Sequence, residues 1–149
     1  MKKAIKSKYF FAICLSAVIC VLVTFRLGSK DENINWAQNL NANDIVKIEA
    51  ISMPSLEYQR YKDYDVSEFS GIVEIINNAR GKKVNNPEEI AGGTITFYIT
   101  KTDGERHTFA NNGNSYLVIN GVSYKASYDY LSAWDSVKLD NKIPDDFEY

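Results

Sequence analysis

Beyond residue 30 this 149-residue chain has no cysteine, and its whole length holds one histidine and three prolines. The missing thiols exclude a disulfide, a cysteine nucleophile, a CxxC redox pair and a cysteine zinc site from residues 31–149. That part must stand on an ordinary apolar core, which about 100 residues can supply with little margin. A single imidazole, His107, rules out any scheme that needs two. No Gly-x-Ser-x-Gly elbow and no Asp-x-Asp-x-Asp-Gly calcium spacing occurs. Neither the Gly92-Gly93 pair nor residues 111–114 match a phosphate-cradling loop with its lysine, so no nucleotide, cofactor or metal site is indicated. Positive charge is scarce as well. Six of the 17 Lys and Arg lie in residues 1–30, leaving 11 against all 19 acids, a net of −8 for residues 31–149. Such a domain repels nucleic acid and anionic head groups, and its acidity serves solubility.

The first thirty residues are the most informative. Lys2, Lys3, Lys6 and Lys8 run into an uncharged apolar stretch from Tyr9 to Phe25. It sits at the short end of what a helix rising about 1.5 Å per residue needs to cross roughly 30 Å of hydrocarbon. It is longer than the apolar core of most cleaved secretion signals. The exit region, Thr24 to Ser29, offers no clean pair of small residues for a signal peptidase, and Cys14 and Cys20 follow isoleucines where lipoprotein signals carry a small residue. The reading is a retained signal-anchor at 9–27, with secretion after cleavage as the runner-up. The basic flank, residues 1–8, stays in the cytoplasm, which puts the rest of the chain outside.

Residues 28–43 read as a tether that joins the fold near Trp36, residues 44–138 as the extracytoplasmic domain, and residues 139–149 as an acidic tail. Asp44 to Met53, rich in β-branched residues and stopped by Pro54, predicts a first strand. Residues 54–64 form a connection. A helix is predicted over Val66 to Arg80: Asp65 caps it with Glu68 as reciprocal partner, Phe69, Ile72, Val73 and Ile76 recur at helical spacing, and Gly81 stops it. A polar loop with Pro87 follows. Residues 94–126 predict a meander of four short strands, with Asp103-Gly104 and Asn120-Gly121 suited to type I′ turns. A last helix starts near Ser127 with Tyr130, Leu131, Trp134 and Val137 on its inner side. The expected fold class is α+β, a mostly antiparallel sheet of about five strands with helices on one face, behind an N-terminal transmembrane helix.

Candidate chemistry is sparse, and no catalytic residue is assigned. His107 falls on one strand face with Glu105 and Phe109, as a half-exposed strand histidine. The pairs Glu88-Glu89, Asp145-Asp146 and Asp63/Asp65 lie in loops or the tail, where solvated acids are expected. Tyrosine is the unusual signal: ten in all, nine of them beyond the anchor. Tyrosine gives large contact area at small entropy cost and is enriched in interfaces. Tyr58, Tyr61 and Tyr64 fall in one connection and are the candidate partner-binding residues, as one exposed ridge.

Ile95–Ile99, the turn Asp103-Gly104, Phe109, and Tyr116–Tyr124 followed by a helix resemble small uncharacterised extracytoplasmic domains that low-GC Gram-positive bacteria carry behind a signal or anchor. The resemblance spans roughly residues 40–138. It implies fold and location and brings no site residues. The expectation is a single-pass, surface-tethered module that binds an envelope protein or peptide and acts without nucleic acid or cofactor. Two rivals stay open: an envelope hydrolase using His107, and an immunity or inhibitor protein against a secreted toxin or protease. Oligomeric state is not legible.

Overall fold

Turn chemistry and alternation are strongest after Thr94, and the strands there form as that chemistry dictates. The computed structural model describes residues 31–53, 60–89, 92–113 and 115–127, then residues 130, 131, 134, 137, 139 and 141–148. Among these residues the fold is α+β, with one antiparallel seven-stranded sheet and two helices. In chain order the elements are α1 (Glu32–Gln38), β1 (Ile45–Met53), β2 (Arg60–Asp63), α2 (Phe69–Asn77), β3 (Lys82–Val84), β4 (Thr94–Lys101), β5 (Arg106–Asn112), β6 (Tyr116–Ile119) and β7 (Val122–Lys125). The strands lie in the order β2-β1-β4-β5-β6-β7-β3.

Two strands exceed the expected five, and they are the sheet's outer strands, β2 and β3. Each lies in a stretch expected as connection or loop. Pairing in space makes them strands: Tyr61 sits opposite Ile51 of β1, and Lys83 opposite Tyr124 of β7. Neither stretch has an alternation of its own long enough to signal a strand.

The helix is shorter than predicted. A 3₁₀ turn at Val66–Glu68 precedes α2, which ends at Asn77. Glu68 does reach back, accepting the Asp65 backbone N–H at 3.1 Å, and its other oxygen takes Lys62 Nζ at 2.6 Å. Gly81 lies beyond the helix end and is needed for another reason. A Cβ there would stand 2.8 Å from Tyr124 Cβ.

Of the two turns expected as type I′, one forms. Asn120 and Gly121 have φ of +49° and +77°, joining β6 to β7 in two residues. At Asp103-Gly104 only the glycine is positive, at +86°. There Gly104 N–H donates to Lys101 O, and Lys101 N–H to Glu105 O, so the loop has three residues and an αL glycine.

Strand alternation sorts the sheet into two faces. On the first, Ile48, Ala50, Phe97, Ile99, Phe109, Leu117 and Ile119 join the core formed with α1 and α2. Trp134 is fully buried there, 5.1 Å from Phe97 and stacked at 5.4 Å on Phe109. Leu131 is buried beside it in the same core, and its N–H bonds Ser127 O at 3.2 Å, one helical turn of the expected last helix. Residues 128, 129, 132 and 133 lie outside the described part. Helix α1 is tied to α2 by Gln38 Nε2 donating to Ala79 O and Asn77 Nδ2 to Leu40 O. Ala37 and Leu40 enter the core, so the compact unit begins at Asn33, inside the segment expected as a tether. Among the described residues no helix is long and apolar enough to cross a membrane, and the expected anchor at 9–27 lies outside them.

Candidate functional site on the second sheet face

The face turned away from α1 and α2 has a different chemistry. Alternation along β1, β2, β4 and β5 puts Lys47, Glu49, Tyr61, Asp63, Tyr98, Thr100 and Arg106 there. Described strand residues of this face carry four bases, Lys47, Lys82, Arg106 and Lys125, against two acids, Glu49 and Asp63. A domain that is acidic overall therefore keeps a basic excess on this surface.

Glu49 is the centre. Its side chain is 8% exposed, and a buried carboxylate persists only when paired and hydrogen-bonded. Oε1 accepts from Lys47 Nζ at 2.7 Å and from the Tyr61 hydroxyl at 2.8 Å, while Arg106 Nη2 stands 3.6 Å from Oε2. Lys47 also lies 4.0 Å from Asp63. Burial, and then the hydrogen bond to Glu49, push the Tyr61 phenol well above its ordinary value, so it stays a donor.

The C-terminal segment crosses this cluster. Tyr61 N–H donates to Asn141 O at 2.7 Å and Asn141 N–H to Tyr61 O at 3.1 Å, an antiparallel bridge on the outer side of β2. Pro144 to Phe147 then turns, closed by Phe147 N–H on Pro144 O at 3.1 Å. The Phe147 ring meets Tyr61 edge-on at 5.7 Å and Tyr98 at 5.1 Å. The Arg106 guanidinium lies 4.8 Å from the Tyr98 ring and 5.4 Å from that of Phe147, within cation-π range. Between tail and sheet remains a cavity of about 390 Å³. The sheet side is lined by Lys47, Glu49, Tyr61, Thr100 and Arg106, and the tail side by Pro144, Asp146, Phe147 and Glu148. Among the described residues the tail meets the sheet through the bridge at Asn141 and the half-buried ring of Phe147. Ordering residues 142–148 costs about 1–2 kcal/mol of backbone entropy each, which these contacts must offset.

Of the three tyrosines expected to form one exposed ridge, Tyr58 lies outside the described residues. Tyr61 and Tyr64 do not share a surface. Tyr61 is on the second face, whereas Tyr64 joins the core of the first, against Phe97 at 6.1 Å and under Lys62 Nζ at 4.5 Å. Both are below 10% exposed. Burial, with Glu68 nearby, raises the Tyr64 phenol to about 12. Three-residue spacing gathers side chains in a helix, but a strand at β2 divides them.

His107 is held on both sides. Its ring stacks on Trp36 of α1 at 4.2 Å, Nε2 lies 3.3 Å from Glu105 Oε2, and Nδ1 lies 3.2 Å from Asn120 Nδ2. Asn120 also donates to Asn33 Oδ1 at 3.1 Å. With both nitrogens engaged, the imidazole ties α1 to the β6–β7 turn and offers no nitrogen to activate a hydroxyl. Among the described residues no group of three or more His, Cys, Asp or Glu could hold a metal ion. The site residues that sequence reasoning missed are Lys47, Glu49, Tyr98, Arg106 and Phe147. One signal was present: Lys47 and Glu49 are charged positions alternating with apolar Ile48 and Ala50, which marks a second, polar strand face. Comparison with protein-family models, curated proteins and solved structures returns no match, so the functional reading rests on this geometry.

Proposed function

We propose that this chain is a membrane-anchored, extracytoplasmic interaction module, tethered through residues 9–27, which binds a segment of an envelope protein or a peptide on the second sheet face. The site is the surface around Tyr61, Tyr98, Arg106 and the Lys47–Glu49 pair. One observation carries the reading: a stretch of polypeptide, residues 141–148, already lies on that face by main-chain pairing with β2 and an aromatic anchor. Added-strand pairing combined with side-chain pockets is a general mode of peptide recognition. The locked geometry of His107 weighs against the hydrolase alternative.

The test is site-specific photo-crosslinking of the full chain in its native membrane, with the photoreactive residue at Thr100 in the cavity wall or at Lys82 on β3. The expected result is one dominant adduct from position 100 and none of that mass from position 82. Recovery of uncrosslinked chain alone from position 100, or the same adducts from both positions, refutes the proposal.

A further inference from the structure

The proposed interaction leaves open what the bound segment is made of, and the seated tail bears on that. Residues 141–148 bring Pro144, Asp145, Asp146, Phe147 and Glu148 to the face, an aromatic ring between carboxylates. The ring has an aromatic and cationic enclosure, and the carboxylates share a cavity with basic side chains. The ring enters the enclosure of Tyr61, Tyr98 and Arg106, and Asp146 and Glu148 line the cavity opposite Lys47 and Arg106. The fit is incomplete, because a solvent-open cavity of about 390 Å³ is lined by both the segment and the sheet. Unfilled space forfeits the dispersion contacts a closer-fitting chain would make. The tail therefore has the chemistry of a ligand without its full complementarity.

Resting on the interaction reading, we infer that the partner segment is an acidic peptide carrying an aromatic side chain flanked by carboxylates, and that residues 142–148 occupy its site as a weak intramolecular stand-in. A second copy of the chain fits less well as the occupant. Leu139 is buried in the core and Asn141 is paired to Tyr61 of the same molecule, so the chain leading into the segment is already committed to its own sheet edge. A segment tethered this closely acts at an effective concentration on the order of millimolar. If the tail's own intrinsic dissociation constant is roughly 10–100 µM, a competing peptide is held back about tenfold to a hundredfold.

The probe is a fluorescent synthetic peptide with the sequence of residues 143–149, titrated by anisotropy into the detergent-solubilised full chain. Two variants are compared with it: Phe147→Ala, and a chain lacking residues 142–149. Circular dichroism and thermal melting verify that each is folded. The expected outcome is binding at least tenfold tighter to both variants than to the intact chain. It should be lost when the peptide's acids become amides or its phenylalanine becomes alanine, and lost again with Arg106→Gln in the truncated chain. Folded variants that bind no better than the intact chain overturn the inference. Equal binding of the amide peptide overturns the ligand class, and concentration-dependent dimers of the intact chain reassign the site to a second copy. An adduct at position 100 without peptide binding means that this inference fails while the interaction reading stands; absence of both means that both fail.

Discussion

Glutamine at position 49 would keep the shape of the buried carboxylate and remove its charge, which isolates the electrostatic part of the second-face cluster. The Tyr61 hydroxyl can still donate to the amide oxygen. It exchanges a bond to a charged group, worth about 1.5–3 kcal/mol, for a neutral one of about 0.5–1.5 kcal/mol. The ion pairs to Lys47 and Arg106, both partly exposed, add about 0.2–1 kcal/mol each before solvent screening is counted. Against this, the variant no longer keeps a nearly buried charge out of water, which offsets part of the loss. The expected net effect of Glu49→Gln is a destabilisation of about 1–2 kcal/mol, a fall in Tm of roughly 4–10 °C. Urea and thermal melts of the full chain in detergent measure it. A second readout is Tyr61, held above its ordinary value by burial and then by Glu49. The stability it contributes is complete below the ordinary tyrosine value and is lost as pH rises through the folded value. In the variant, its ionisation at 295 nm should begin at lower pH. A double-mutant cycle with Tyr61→Phe should give a coupling of about 1 kcal/mol. Additivity within about 0.3–0.5 kcal/mol, with an unchanged tyrosine titration, would refute the assigned role of Glu49.

Trp134→Ala should cost about 3–5 kcal/mol, since a fully buried indole between Phe97 and Phe109 leaves a cavity that rigid strands cannot close, and a chain that melts within 2 °C of wild type would contradict that, where about 1 kcal/mol already moves Tm by several degrees. Two glycines should respond in opposite directions. Gly92→Ala brings a Cβ to 2.8 Å from the Gly113 backbone and should destabilise by about 1–3 kcal/mol, whereas Gly71→Ala, on an exposed helical position with nothing within 4 Å, should stabilise by about 0.4–1 kcal/mol in the same denaturation assay. In alkali, Tyr64, raised by burial to about 12, together with Tyr61 and Tyr130, favours the folded state below the ordinary tyrosine value, and that stability is lost as pH rises through the raised values. Spectrophotometric titration should show a late group of tyrosines ionising together with loss of ellipticity; one early step for all of them, with native ellipticity retained, would count against the described burial.

Local chemistry was legible wherever a residue type dictates a backbone state. The asparagine-glycine turn, the alternation of β4 and the apolar stripe of α2 all needed only neighbours in sequence. The outer strands did not, because β2 and β3 are strands by virtue of β1 and β7, partners that periodicity cannot reveal. The differences at Asp103-Gly104 and at the end of α2 have one cause: each glycine there serves a less common role than its sequence context suggests. One glycine in fact completes a three-residue loop, and Gly81 permits close approach to Tyr124.

The candidate site suffered most from the missing strand. Read as a loop, Tyr61 and Tyr64 point the same way; read as part of β2 and its continuation, one goes to the core and the other to the ionic cluster. The aromatic signal was real, but its second half came from Tyr98 and Phe147, far apart in sequence and joined only by the register of β1 against β2 and β4. The same register explains why the acidic tail settles where it does. Residues 31–149 carry a net negative charge that repels such a segment from most of the surface. On the second face, Lys47 of β1 and Arg106 of β5 lie near an outer strand, β2, that offers a main-chain bridge beside an aromatic enclosure. The other outer strand, β3, brings Lys82 and Lys83. Attraction by charge, pairing by backbone and retention by an aromatic ring thus coincide at one edge of the sheet, and an incoming peptide would need the same three.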